Sequence, residues 1–170
     1  FYTEENGVRN NFKERWMRVF PEYADIFTFD MLDGSADKLK EPNMVLLPLS
    51  LSNKLFGNQS AVGKQLHMVN SKGVFTIGGV YRDFPDNSSV GNSIYYQLNP
   101  KENFQNFGNW NYMFYVRLDD PANASGLFEN FKAHFDVSTL SKDFSWEGGG
   151  VSLVLNPLTE VQFDSGVTYD

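Results

Sequence analysis

The sequence contains no cysteine and only two histidines, His67 and His134. Without cysteine there can be no disulfide, no thiolate zinc site, no iron–sulfur cluster and no thiol nucleophile. The missing cysteines do not assign a compartment, because reducing and oxidising environments both hold proteins without them. Two histidines far apart, with no pair at helical spacing, give no ligand frame for a metal, and Asp83, Asp86 and Asn87 lack the spacing of a calcium loop. No G-x-S-x-G elbow accompanies either histidine, so a triad hydrolase has no footing. Paired acids of the kind a glycosidase uses are not excluded by pattern, but Asp119 and Asp120 read as a turn and a helix cap. Gly148 to Gly150 lack the Lys-Ser or Lys-Thr that a phosphate loop needs and read as a turn. Long apolar runs are also missing. The longest candidate, Met44 to Leu51, is broken by Pro48 and falls far short of a membrane span.

Basic residues are scarce as well. Lys and Arg number 14 against 21 Asp and Glu, giving a net charge of −7, and the cations are scattered. Such a chain repels phosphate backbones, which argues against a nucleic-acid partner and is otherwise a solubility feature.

What the sequence has in abundance is aromatic side chains, 16% of residues, with 16 Phe and 8 Tyr. Flat rings pack well on pleated surfaces. With 170 residues there is room for one domain or two small subdomains. Residues 1–11 are polar and unpatterned and read as a lead-in. Phe12, Trp16 and Phe20 fit a helix face or a strand face equally, and Pro21 ends either. Ile26 to Leu32 reads as extended, followed by the turn residues Asp33-Gly34-Ser35 and a charged link from Ala36 to Glu41.

The best-written stretch runs from Asn43 to Tyr96. An apolar strand, Met44 to Leu47, leads to a two-turn helix over Ser50 to Gly57, with Ser50 as expected N-cap, Leu51, Leu55 and Phe56 on one side and Gly57 as stop. The Ala61-Val62-Gly63-Lys64 turn feeds a strand from Gln65 to Val69. Residues 70–73 have hairpin chemistry, and Val74 to Tyr81 returns. Gly78-Gly79 inside that strand predicts a bulge or a close backbone approach. A loop around Asp83-Phe84-Pro85 precedes a strand at Ser93 to Leu98. Further on, Tyr112 to Leu118 alternates like a strand, and Asp120-Pro121 opens a helix whose apolar side holds Leu127, Phe128, Phe131 and Phe135. Ser138 to Gly150 reads as loop, and Val151 to Leu155 as a last strand.

These motifs resemble a known family. Lys54-Leu55-Phe56-Gly57 and Ala61-Val62-Gly63-Lys64, then Thr76-Ile77-Gly78-Gly79-Val80, Asp83-Phe84-Pro85 and Asn87-Ser88, are similar in kind and order to the MacB-like periplasmic core domain of FtsX-type ABC transporter permeases. Asp25 to Phe29 with Leu32-Asp33-Gly34 upstream, and Leu155 to Val161 downstream, extend the likeness. The chain departs from it at Ser35 and Ala36, where an acid is common. Its start lacks the family's usual first strand and helix, so the piece is expected to begin inside the domain. Residues 99–150 match nothing in the pattern.

The expected fold is α+β: a mixed-sheet base with short helices, from 12–96 plus 151–165, and an inserted second α+β subdomain at 97–150. The resemblance implies a non-catalytic domain on the periplasmic face of a bacterial inner membrane, with no metal or other cofactor. It further implies membrane spans outside this segment, a cytoplasmic ATPase subunit, a permease dimer and a periplasmic or outer-membrane accessory protein. In that setting the domain would relay ATP-driven motion of the membrane helices. Ser50, Leu55, Phe56, Gly57, Gly63, Gly79 and Pro85 form its structural signature. Phe104, Phe107 and Trp110 are the candidate partner surface, with burial in their own subdomain as the alternative. A different class of function, a secreted β-rich module for glycans or peptides, would use Phe104, Trp110 and Trp146 as stacking residues.

Overall fold

A computed structural model describes residues 1–5, 7–98, 113–134 and 155–159. The chain divides into two compact units, Phe1–Glu102 and Asn103–Asp170. The first carries a mixed sheet of eight strands among the described residues. In chain order these are β1 (Tyr2–Glu5), β2 (Val8–Asn11), β3 (Trp16–Val19), β4 (Met31–Gly34), β5 (Met44–Pro48), β6 (Gln65–His67), β7 (Val74–Tyr81) and β8 (Ile94–Gln97). A single helical turn, α1 (Tyr23–Ile26), precedes β4, and α2 (Leu49–Phe56) follows β5. The strand order is β2-β1-β6-β7-β5-β8-β3, with β4 paired to β7 off that path. The α+β class with a mixed sheet and few short helices is what the sequence predicts.

Strand β7 is the hub. Parallel β5 covers one edge from Thr76 to Tyr81. The other edge is shared: antiparallel β6 pairs with Val74 to Thr76, and antiparallel β4 with Gly79 to Tyr81. Between them Gly63 N–H donates to the Ile77 carbonyl (2.8 Å), and Ile77 N–H donates to that of Lys64 (2.9 Å). The Gly pair does both things its position suggests. The β5–β7 register slips there, Val45 facing Ile77 while Leu46 faces Gly79, and β4 crosses so closely that a Cβ on Gly79 would stand 3.2 Å from the Asp33 carbonyl oxygen.

Apolar side chains fill both faces of the sheet. Val45, Leu47, Leu66, Ile77, Val80 and Ile94 form one core with Leu51 of α2 and with Ala61. Alternation sends Leu46, Tyr81 and Tyr95 to the opposite face. There the rings of Phe29, Tyr81, Phe84 and Tyr95 pack with centroids 5.1–5.8 Å apart, and Tyr23 joins through Tyr95 and Phe29.

Several local expectations need correction. Residues 1–11 are not a lead-in: they form the β1–β2 hairpin, and Phe1 is buried against Phe12 and Trp16. Glu4, Glu5, Asn10 and Asn11 hid the alternation, because an edge hairpin with mostly wet side chains needs few apolar positions. The segment from Phe12 to Phe20 resolves as strand, since β3 has β8 to pair with in parallel. Ile26 to Leu32 is extended only after Ile26 closes α1, with Phe27 and Phe29 buried. The charged link is a 3-10 helix, Ala36–Lys40, capped by Ser35 and pinned by fully buried Leu39.

In the second unit, 113–118 carries no strand, and among the described residues no strand pairs with it. Met113, Phe114 and Val116 are exposed, so alternation here does not mark a buried face. Asp120 does cap as expected, accepting from Ala122 N–H at 2.9 Å, but its first turn is a 3-10 helix, Pro121–Asn123, that runs into α3 (Ala124–His134). Phe135 and residues 151–154 of the strand expected at Val151 to Leu155 lie outside the described residues, as does most of the 151–165 segment, and Leu155, which is described, is exposed and outside any strand.

Candidate functional site

The register of β5 on β7 builds the most elaborated polar region among the described residues. Pro48 pairs with Tyr81 in parallel, so two residues further along each chain Ser50 and Asp83 are neighbours. Pro48 is the residue before α2 and has no side-chain acceptor to offer the first turn. Asp83 supplies it from the loop after β7. Ser50 N–H donates to Asp83 Oδ2 at 3.0 Å, and the Ser50 hydroxyl donates to Asp83 Oδ1 at 2.6 Å. The sequence expectation of Ser50 as its own N-cap is therefore corrected: Ser50 lies inside the helix, and the capping carboxylate comes from 33 residues away. A negative group at that end also suits the helix dipole.

Two more clamps close the same loop. The Tyr81 hydroxyl donates to the Ser93 carbonyl (2.8 Å) and accepts from Ser93 N–H (3.0 Å). Burial among apolar neighbours pushes the Tyr81 phenol well above its ordinary range, so it stays protonated. Asn92 brackets Phe84, accepting from its N–H (2.8 Å) and donating to its carbonyl (3.0 Å). At the other end of α2, Lys54 donates to Glu14 at 2.6 Å. Between Glu14 and Arg15, the first turns of α2 and the approach to β8 lies a cleft of about 280 Å³.

The remaining signature residues pack or turn the chain around this region. Leu55 and Phe56 pack half-buried against the core, Gly57 ends α2 at φ +60°, and Gly63 turns into β6 at φ +84°. Gly79 admits β4, and exposed Pro85 shapes the loop by accepting from Ser88 N–H at 2.8 Å. Phe104, Phe107, Trp110 and Trp146 lie outside the described residues. His67 stacks on Tyr2 (4.9 Å), with Arg9 3.6 Å from the centre of the same ring, and His134 Nδ1 faces the Asn130 carbonyl at 2.9 Å. Among the described residues no three His, Asp or Glu are grouped to hold a metal, and no helix is long and apolar enough to cross a membrane. Sequence reasoning missed the Asp83 cap, the Tyr81 clamp and the cleft. Each joins residues distant in the chain, and only the β5–β7 register, had it been known, pointed to the first.

The arrangement braces α2 and the loop after β7 against the sheet. The profile of the MacB-like periplasmic core domain matches residues 3–133, well over half of the chain. The chain belongs to that family. Among solved structures, a domain of a proposed permease protein from Porphyromonas gingivalis is 22% identical with a TM-score of 0.57, over 81% of this chain and 68% of that one. This likeness is one of fold. The periplasmic region of MacB from Actinobacillus actinomycetemcomitans is 15% identical with a TM-score of 0.43, over 87% of this chain and 72% of that one. No curated protein matches the sequence. As a MacB-like periplasmic core domain, the chain is an extracytoplasmic part of an ABC transporter permease.

Proposed function

We propose that this MacB-like domain does no chemistry of its own and relays motion. ATP hydrolysis by a cytoplasmic subunit would shift the membrane helices of the permease, and the domain would carry that shift to a substrate or accessory protein outside the inner membrane. The permease would work as a dimer. The observation that carries the reading is the family match over residues 3–133, which takes in all of the described sheet except Tyr2. The inserted region after the sheet, with Phe104, Phe107 and Trp110, is the proposed contact surface.

The test uses the full-length permease with its ATPase in lipid. These 170 residues hold no cysteine, so Lys72→Cys in the β6–β7 turn gives one spin label per domain copy once any cysteines elsewhere in the permease and ATPase are replaced. The relay requires the distance between copies to differ between nucleotide-free and vanadate-trapped states. An unchanged distance distribution in a preparation that hydrolyses ATP would sink it.

A further inference from the structure

The described sheet ends at β2, and the usual guards of an edge are missing there. Among the described residues β2 pairs with β1 alone, through four pairs in unbroken register from Glu5–Val8 to Tyr2–Asn11. Just beyond them the Phe12 N–H donates to the Phe1 carbonyl at 2.8 Å, and the Phe1 nitrogen donates to the Phe12 carbonyl at 3.2 Å. This doubly bonded pair fixes the phase of the ladder: Val8 and Asn10 turn their backbone groups toward β1, as Phe12 does, and Arg9 and Asn11 turn theirs outward. All four side chains of β2 are exposed.

Outward N–H and C=O groups are a template for a further strand, and natural edges are blunted by lysine, proline, a bulge or an inward-pointing charge. β2 has no lysine, no proline and no bulge. Its one charge is drawn back over the hairpin, with the Arg9 guanidinium 3.6 Å from the centre of the Tyr2 ring and Glu4 as its cross-strand partner. Residues 1–14 hold two bases, Arg9 and Lys13, and three acids, Glu4, Glu5 and Glu14, so this edge has little net charge with which to select a charged strand or repel a copy of itself.

Register decides what fits. Two copies can meet antiparallel only with outward residues opposite one another. An axis through Arg9 would oppose two arginines, and an axis through Asn11 would oppose Arg9 to Lys13. An axis through Asn10 opposes no like charges: Arg9 meets Asn11 of the second copy, the outward groups of both are satisfied, and exposed Val8 comes beside half-buried Phe12. We propose that β2 is a seam between two copies of this chain, paired antiparallel about Asn10 so that their sheets join. A four-residue seam buries far less than the roughly 1,200 Å² of a stable interface, so the pair is weak in solution and is read by trapping. It does not depend on the relay reading, since copies that relay nothing would still pair, and the Lys72 label can fail while this test succeeds.

The 170-residue chain has no cysteine, so Asn10→Cys puts its only thiol on the axis. Opposite residues at such a non-hydrogen-bonded position have Cα atoms about 4.5 Å apart, within disulfide range. Val8→Cys, also exposed, would lie four residues out of register with its copy, about 13 Å away, and measures random collision. Under mild oxidation at equal concentration, Asn10→Cys should form the linked dimer at least about tenfold faster than Val8→Cys. Adding Asn11→Pro removes an outward N–H without touching the bonds to β1, and should slow Asn10→Cys to the rate of the control with the circular dichroism unchanged. Arg9→Pro removes the other outward N–H and replaces Asn11→Pro should that variant unfold. Equal rates for Asn10→Cys and Val8→Cys, or a rate for Asn10→Cys that a folded proline variant leaves unchanged, would overturn the seam.

Discussion

Two glycines share a positive φ and differ in the space around them, which turns the β4–β7 crossing into a measurable quantity. Gly34 has φ +70° and Gly57 has φ +60°, both in the region that side chains disfavour. A Cβ on Gly57 would meet nothing within 4 Å. Gly57→Ala should therefore cost the conformational term alone, about 1–3 kcal/mol. A Cβ on Gly34 would fall onto the Gly78 carbonyl oxygen and come within 2.7 Å of Gly79 Cα. Both atoms are backbone in the hub strand and cannot swing aside as a side chain would. Gly34→Ala should carry a conformational cost of similar size for its positive φ plus a separation of β4 from β7, a total above about 4 kcal/mol, in the range where marginal domains fail to fold. Urea denaturation of both variants, followed by far-UV circular dichroism, reads the two costs on one scale. A Gly34→Ala protein no less stable than Gly57→Ala would refute the claim that β4 crosses β7 at backbone contact.

Three further outcomes follow from the clamps and the core. Asp83→Ala should destabilise by about 1 kcal/mol and Ser50→Ala by less, because the carboxylate serves both the amide and the hydroxyl of Ser50; the double variant should match Asp83→Ala alone. The opposite order in urea midpoints would restore Ser50 as the cap. Tyr81→Phe leaves the Ser93 N–H and carbonyl buried without partners and should cost about 1–3 kcal/mol. Since the folded Tyr81 pKa is raised, its contribution is intact below the unfolded value of about 10 and is lost as pH rises beyond it. The midpoint of Tyr81→Phe should accordingly fall less steeply above about pH 10 than that of the parent. Leu46→Ala empties a site with no solvent exposure and should cost about 2–5 kcal/mol in the same assay.

The sequence was legible where structure is local. The β6–β7 hairpin, the apolar side of α2, its Gly57 stop and the Asp120 cap are each set by residues within a few positions of one another. Legibility failed where a partner from afar decides the outcome. The polar β1–β2 hairpin exists as sheet because Tyr2 pairs with His67, and the segment at Phe12 to Phe20 is strand because Trp16 pairs with Ile94. Asp83 sits in a stretch that reads only as loop, and its function is fixed by a parallel register that no local pattern encodes. The cleft belongs to the same class, since Arg15, Leu51 and Ser93 meet only once β8 lies between β5 and β3. At 113–118 the error ran the other way: the alternation is present, but the exposed side chains give it no face to bury.

The bracing of β7 bears on how a relay would work. One edge is occupied by β5 from Thr76 to Tyr81, and the other by β6, the Gly63–Lys64 turn and β4 between Val74 and Tyr81. One face lies under α2 and the other under the 3-10 helix and the aromatic cluster. A strand held on four sides cannot slide or peel without breaking the core, so force applied to the sheet would move it as one body. Amide exchange distinguishes this from a domain that deforms. Amides of β5 and β7 should exchange only through global unfolding, with the slowest rates in the chain, and equally slowly in the full-length permease with and without trapped nucleotide. If trapping nucleotide accelerates exchange in β7 by about tenfold or more, the base yields under load by about 1.4 kcal/mol of lost protection, and transmission through a rigid sheet is wrong.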